Sequence, residues 1–241
     1  MKLLMLLAAG FWLLAGQPGA VDAQPTDSRD WIRAIEQNDA VRLGLLFGRR
    51  QKAGLPTDVR NPKGKTALMA AAAAGNIEVF KLLVAGGADP GATNIKGAST
   101  LMYAAWRGDP EIVAELLARQ VPLNQAASNG WTAMTMAAAK GNARAIRLLI
   151  DAGAMVDSRD VYAWTPLMRA SNLGRLEAAR LLVRHGAAEL GLINTSGQTA
   201  LHLAAAAGHR ELYQLLVRAG ADPSQADFRG KTPAQMIATH P

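Results

Sequence analysis

The chain has 241 residues, half of them hydrophobic, and a formal net charge of +7. It contains no cysteine, which excludes disulfides, thiolate metal sites and thiol nucleophiles. Aromatic residues are only 5%, so any large core must be packed mainly from alanine and leucine.

The N-terminus opens with Met1-Lys2, a short basic start, followed by an apolar run of 13 residues, Leu3–Ala15. Val21-Asp22-Ala23 then places small residues at the last and third-last positions before Gln24. This predicts a secretory signal peptide over residues 1–23. A membrane anchor would need about 20 apolar residues, so the chain is not expected to span a membrane. Secretion without cysteine points to a bacterial periplasm. Loss of residues 1–23 removes Lys2 and Asp22 and leaves the net charge at +7. In that compartment a basic surplus suits an acidic protein face or an anionic envelope surface, not nucleic acid. Simple solubilisation of the exposed helices by Arg and Lys accounts for part of it.

Residues 24–29 are polar and read as a linker. Asp30–Gly48 carries a degenerate helical pair, with Trp31, Ile32, Ile35, Val41, Leu43, Leu45, Leu46 and Phe47 as its apolar face and Asn38-Asp39 as its turn. It serves as an N-terminal cap unit over 30–60. Arg49–Lys63 is basic, contains Pro56 and Pro62, and is expected to form an exposed loop.

From Gly64 the chain repeats. The residues opening each copy are Gly64, Gly97, Gly130, Ala163, Gly197 and Gly230, at spacings of 33, 33, 33, 34 and 33. Each is followed by one residue and then Thr or Ser, whose hydroxyl can cap a helix. An alanine-rich helix follows, such as Leu68–Ala74. The next turn is Gly75-Asn76, Gly108-Asp109, Gly141-Asn142 or Gly208-His209. A second helix then places apolar residues at helical spacing (Ile77, Phe80, Leu83) and ends in glycine, where a left-handed residue is expected. The repeats run 61–93, 94–126, 127–159, 160–193 and 194–226, with a C-terminal cap over 227–241 holding one short helix, Pro233–Thr239.

This period and grammar resemble the ankyrin repeat. The resemblance implies an all-α ankyrin-repeat α-solenoid, built of helix-turn-helix units with short β-hairpin-like loops, acting as a non-enzymatic scaffold. Several positions depart from the pattern. Gln120-Val121 replace Gly-Ala at one helix end, Ala163 replaces a turn glycine, and Ala188–Ile193 holds an extra residue. Only His202 keeps the family's histidine, which becomes Met69, Met102, Thr135 and Met168 elsewhere.

No catalytic constellation is present. HExxH, GxxxxGK and Gly-x-Ser-x-Gly are all missing. His202, His209 and His185 fall at positions where structural roles are expected, so no metal and no cofactor is assigned. In this family partners usually dock on the hairpin tips and inner helices. By registration, Trp106, Trp131 and Trp164 occupy surface positions of successive repeats and are expected along one concave stripe, with Arg107, Lys140 and Tyr162 nearby and Arg169 one turn deeper. Trp, Tyr and Arg dominate binding hot spots. The alternative is that the rings stack on one another and stiffen the array. Tyr103 and Tyr213 read as packing residues.

The expected function is therefore capture of a partner protein in the periplasm by a monomer. The resemblance also accommodates an immunity protein that neutralises a periplasmic toxin, or a companion of a peroxide-detoxifying envelope enzyme. From a different class, the charge and tryptophans could hold an envelope glycan or anionic lipid.

Overall fold

The computed structural model describes residues 25–54, 58–185 and 189–239. The expected leader therefore lies outside the described residues, as does His240. The described residues form thirteen helices and no strand. Helices α1 (Pro25–Gln37) and α2 (Ala40–Lys52) make the first pair. Five pairs follow: α3 (Ala67–Ala74) with α4 (Ile77–Ala85), α5 (Thr100–Arg107) with α6 (Pro110–Ala118), α7 (Ala133–Lys140) with α8 (Ala143–Asp151), α9 (Pro166–Asn172) with α10 (Leu176–Arg184), and α11 (Ala200–Ala206) with α12 (Arg210–Arg218). Helix α13 (Pro233–Ala238) closes the array. Odd-numbered helices stack on one another as an inner layer, and even-numbered helices as an outer layer. This is the all-α solenoid that the period predicts.

Composition decides which helix goes inside. Ala70, Ala71, Ala72, Ala104, Ala105, Ala137 and Ala138 are fully buried, and their small side chains let adjacent inner helices approach closely. The outer helices contribute larger groups, Phe80, Leu83, Ile112, Leu116, Ile146 and Leu149, which bury against the inner layer. Tyr103 and Tyr213 lie partly buried against this core, as expected.

Each inner helix from α3 onward starts on a hydroxyl. Thr66, Ser99, Thr132, Thr165, Thr199 and Thr232 accept from the backbone N–H three residues on. The N3 side chain can return the favour. Met168 Sδ, His202 Nδ1 and Gln235 Oε1 each accept from the capping residue's N–H. One geometric role thus explains why methionine, histidine and glutamine can share a repeat position.

The loops are held by a device absent from the sequence grammar above. Asn61, Asn94, Asp160, Asn194 and Asp227, each three residues before the opening residue of its copy, turn Oδ1 back to accept two N–H groups of their own hairpin. Ala127 stands at this position in the remaining hairpin, where Asn129 Oδ1 accepts from Trp131 N instead. Successive tips are then stitched together. Ile95, Ser128, Val161, Thr195 and Phe228 donate their N–H to Lys63, Lys96, Asn129, Tyr162 and Ser196 carbonyls at 2.8–3.2 Å. The opening glycines sit under these crossings: a Cβ at Gly64, Gly130 or Gly197 would run into the next tip.

Ala163 keeps the left-handed conformation of the glycines it replaces, at φ 59°. An L-residue there carries roughly 1–2 kcal/mol of strain. Ala163→Gly is therefore expected to raise stability by about 1 kcal/mol, the entropy of the new glycine offsetting part of the relief. A rise in the urea midpoint at unchanged slope checks it. Gln120 likewise stays left-handed, at φ 55°.

His202 is fully buried and bridges two repeats. Nδ1 accepts from Thr199 N–H (3.1 Å), so Nε2 carries the proton and donates to the Lys231 carbonyl (3.2 Å). A second proton at Nδ1 would face a donor. Burial holds its pKa below the ordinary value, although the Lys231 carbonyl and the Asp227 charge oppose this. The native state thus binds fewer protons than the unfolded chain. Its contribution to stability is complete at neutral pH, falls once pH drops below about 6.5, and levels off beneath the folded value. Replacing it with glutamine, which does the capping at position 235, is expected to flatten this part of the stability–pH curve.

The N-terminal unit differs from expectation in three ways. Helix α1 begins at Pro25, inside the stretch read as a linker. Helix α2 runs on to Lys52, so Arg49–Lys52 are helical and not part of an exposed loop. Arg50 is buried, with its guanidinium 5.2 Å from the centre of the Trp31 ring. Val41 and Leu45, read as part of the apolar face, are exposed instead, because α2 turns Leu43, Leu46 and Phe47 to the core. The apolar stretch around the extra residue does pack: Leu190 and Leu192 lie against the core.

Candidate functional site

The seven residues singled out in the sequence fall on the inner helices and hairpins of the middle repeats, in two groups and not one continuous stripe. The first group sits at the C-terminal ends of α5 and α7. Trp106 is 42% exposed, and the Lys140 ammonium of the next repeat lies 4.1 Å from its ring centre. Arg107 is exposed beside it and lies across the Gly75 turn of the preceding repeat. These residues project there because Gly108 and Gly141 end the two helices in left-handed conformation.

The second group sits at the hairpin end. The Arg169 guanidinium lies 4.3 Å from the Trp164 ring centre and 5.0 Å from that of Trp131. It is therefore clasped by the two indoles and joins two repeats. Its charge is met by Asp160, whose side chain is 1% exposed against 20% for Arg169. Oδ2 of Asp160 takes the arginine, while Oδ1 accepts from Tyr162 N and Trp164 N, both at 2.9 Å. Arg169 Nε is buried without a hydrogen-bond partner. The Tyr162 ring, by contrast, is 62% exposed. The rise of an α-helix puts roughly 12 Å between the two ends of α7 and hence between the groups.

Asp160 was missed in the sequence. Aligning the hairpins would have found it, since its register position holds Asn or Asp in five of the six. The same register shows a matched pair nine residues apart: Asn94 Nδ2 donates to Tyr103 Oη (3.1 Å) where Asp160 meets Arg169. In the repeat between them both positions are apolar, Ala127 and Met136.

A further cation stands at the first hairpin. Lys65 is half-buried at the first hairpin, donates to Asn38 Oδ1 and lies 5.1 Å from the Tyr103 ring centre. Burial, and then neighbouring Lys63, lower its pKa.

The interhelix turns add order to the far end of this face. Asn142 Nδ2 donates to the Ala105 and Trp106 carbonyls (2.7 and 2.9 Å), Arg175 Nε to Ala139 O (3.2 Å), and His209 Nε2 lies 3.2 Å from Asn172 O. Helices α5, α7 and α9 are thereby each capped by the repeat that follows. His209 is structural in this sense. No cluster of His, Asp or Glu among the described residues could hold a metal ion. No helix among them is long and apolar enough to cross a membrane.

Family models described as ankyrin repeats match residues 32–125, 101–191 and 181–237. The chain belongs to the ankyrin-repeat family, whose members are generally non-enzymatic scaffolds that mediate protein–protein interaction. Among solved structures, it is similar to the ankyrin repeat domain of Bcl-3, described as a unique member of the IkappaB protein family. That match has 28% identity and a TM-score of 0.67, covering 87% of this chain and 96% of that one. No curated protein matches the chain. As many as 584 solved chains match, so the likeness defines an architecture and not a particular partner.

Proposed function

We propose that this chain is a non-enzymatic, monomeric scaffold, secreted to the periplasm, that grips a partner protein with the concave face of its middle repeats. The observation that carries the reading is Trp106: a large ring left 42% in water on an inner helix, with one face backed by Lys140. A preformed array loses little freedom on binding, so a modest contact area can give useful affinity. Secretion rests on the Leu3–Ala15 run and the small residues before Gln24.

The test is capture from periplasmic extract by the mature chain, beside Trp106→Ala and the Trp106/Trp131/Trp164 triple-alanine variant. Trp106→Ala should keep the parent's helix content and lose its main partner. The triple variant should lose the same partner with additional destabilisation, because two of its rings hold Arg169. An unchanged partner set with folded Trp106→Ala contradicts the reading.

A further inference from the structure

From α3 onward charge is divided between the two layers, and the acids of the inner layer are confined to α1 (Asp27, Asp30 and Glu36). The inner helices α3, α5, α7, α9 and α11 contain no Asp or Glu. In the hairpins the only acids are Asp160 and Asp227, both buried: Oδ1 of each accepts two backbone N–H groups, and Oδ2 of Asp160 takes Arg169. The same surface carries Lys63, Lys65, Lys96, Arg107 and Lys140, all exposed except the half-buried Lys65. None of these five is in an ion pair among the described residues. Among other acids of these turns, Asp109 caps α6 through Glu111 N and Ile112 N, Asp39 caps α2 through Arg42 N, and Asp58 approaches Arg60. The acids of the outer layer, Glu78, Glu115, Glu177 and Glu211 among them, lie on even-numbered helices, where Arg119–Glu115 and Arg180–Glu177 pair at 2.8 and 3.1 Å.

We infer that the concave face takes an acidic polypeptide segment, laid across α3, α5 and α7. This rests on the concave-face reading above and names the chemistry of its partner. The segment's carboxylates meet the unpaired cations, and an apolar side chain covers the free face of Trp106. The cations lie at both ends of the inner helices, Lys65 and Lys96 at the hairpins and Arg107 and Lys140 at the opposite ends. An occupant must enter the groove to reach both sets, which a flat bilayer cannot do. A single nucleic acid strand would need open ring faces for its bases. Here Arg169 lies between Trp131 and Trp164, and Lys140 covers one face of Trp106.

The experiment uses the mature chain and a labelled polyglutamate peptide, read by fluorescence anisotropy against salt. Phosphatidylglycerol vesicles and an oligothymidylate of similar charge are the competing probes. Two variants remove equal charge: K96Q/R107Q/K140Q on the inner face, and R144Q/R147Q/R184Q on the outer helices. Polyglutamate should bind, more weakly as salt rises, and the inner variant should lose about tenfold while the outer one changes by less than about twofold. Equal losses in the two variants overturn the inference, as does failure to bind polyglutamate or a preference for vesicles or oligothymidylate. A periplasmic partner that needs Trp106 but is held equally by parent and inner variant overturns the acidic chemistry while leaving concave-face binding intact. Loss of polyglutamate binding in the inner variant, with a periplasmic partner indifferent to Trp106, overturns the concave-face reading instead.

Discussion

Arg169→Met is expected to lower stability by about 3 kcal/mol, because it strands the Asp160 carboxylate in a nearly dry site. The loss sits at the low end for a broken buried pair, since Asp160 keeps its two backbone N–H bonds. A comparison within the chain separates charge from packing. Asn94 and Tyr103 occupy the equivalent positions two repeats earlier and hydrogen-bond at 3.1 Å. The double variant D160N/R169Y copies that pair: asparagine preserves the hairpin turn and removes the charge, and tyrosine restores a ring-sized group between Trp131 and Trp164. It should return to within about 1 kcal/mol of the parent, a neutral hydrogen bond replacing a desolvated ion pair. Urea denaturation of the parent, the single and the double variants reads both effects. A single variant as stable as the parent would mean the pair is a surface ornament and that nothing locks the second tryptophan group.

Trp31→Ala is expected to cost about 4 kcal/mol, as large-to-small truncations of fully buried aromatic groups do. The ring is the largest side chain in the N-terminal cap, its indole N–H donates to Val59 O at 3.3 Å, and Arg50 stacks on it. In a linear array each unit contacts only its neighbours, so damage to a terminal unit should stay local at first. Amide exchange should rise across α1 and α2 well before α7 to α12, and a separate early unfolding phase should appear. Uniform acceleration of exchange along the array would show that the cap is not an independent terminal unit.

Much of the scaffold was legible because repetition makes each local rule visible several times. The hydroxyl caps, the alanine inner helices and the left-handed glycines all follow from residue chemistry at a fixed period. Ala163 and Gln120 were visible as departures, and both hold the glycine-like conformation under strain. What the sequence hid was of two kinds. The exposure of Val41 and Leu45 depends on which face α2 turns to α1, α3 and α4, and the cap has no repeat to register it against. The division of the tryptophans depends on three-dimensional partners. Trp131 and Trp164 lie near in sequence to their hairpins, yet what joins them is Arg169, whose placement needs Asp160. Registration placed Trp131 and Trp164 at hairpin tips and Trp106 at the end of an inner helix, but it drew them as one stripe across the roughly 12 Å of helix that separates the two ends. The cationic surface was present in the composition only as a net charge. Its segregation emerged once the acids could be placed on outer helices, in the N-terminal unit, in connecting loops or buried inside a hairpin, and off helices α3 to α11 of the inner layer.

The inner layer is the surface proposed to meet another macromolecule. The most direct measurement is hydrogen–deuterium exchange of the mature chain with and without the partner captured through Trp106. Protection is predicted on α3, α5 and α7 and on the hairpins that precede them, centred on the Trp106 end of α5. Protection confined to α6, α8 and α10, with the inner helices unchanged, would contradict the claim.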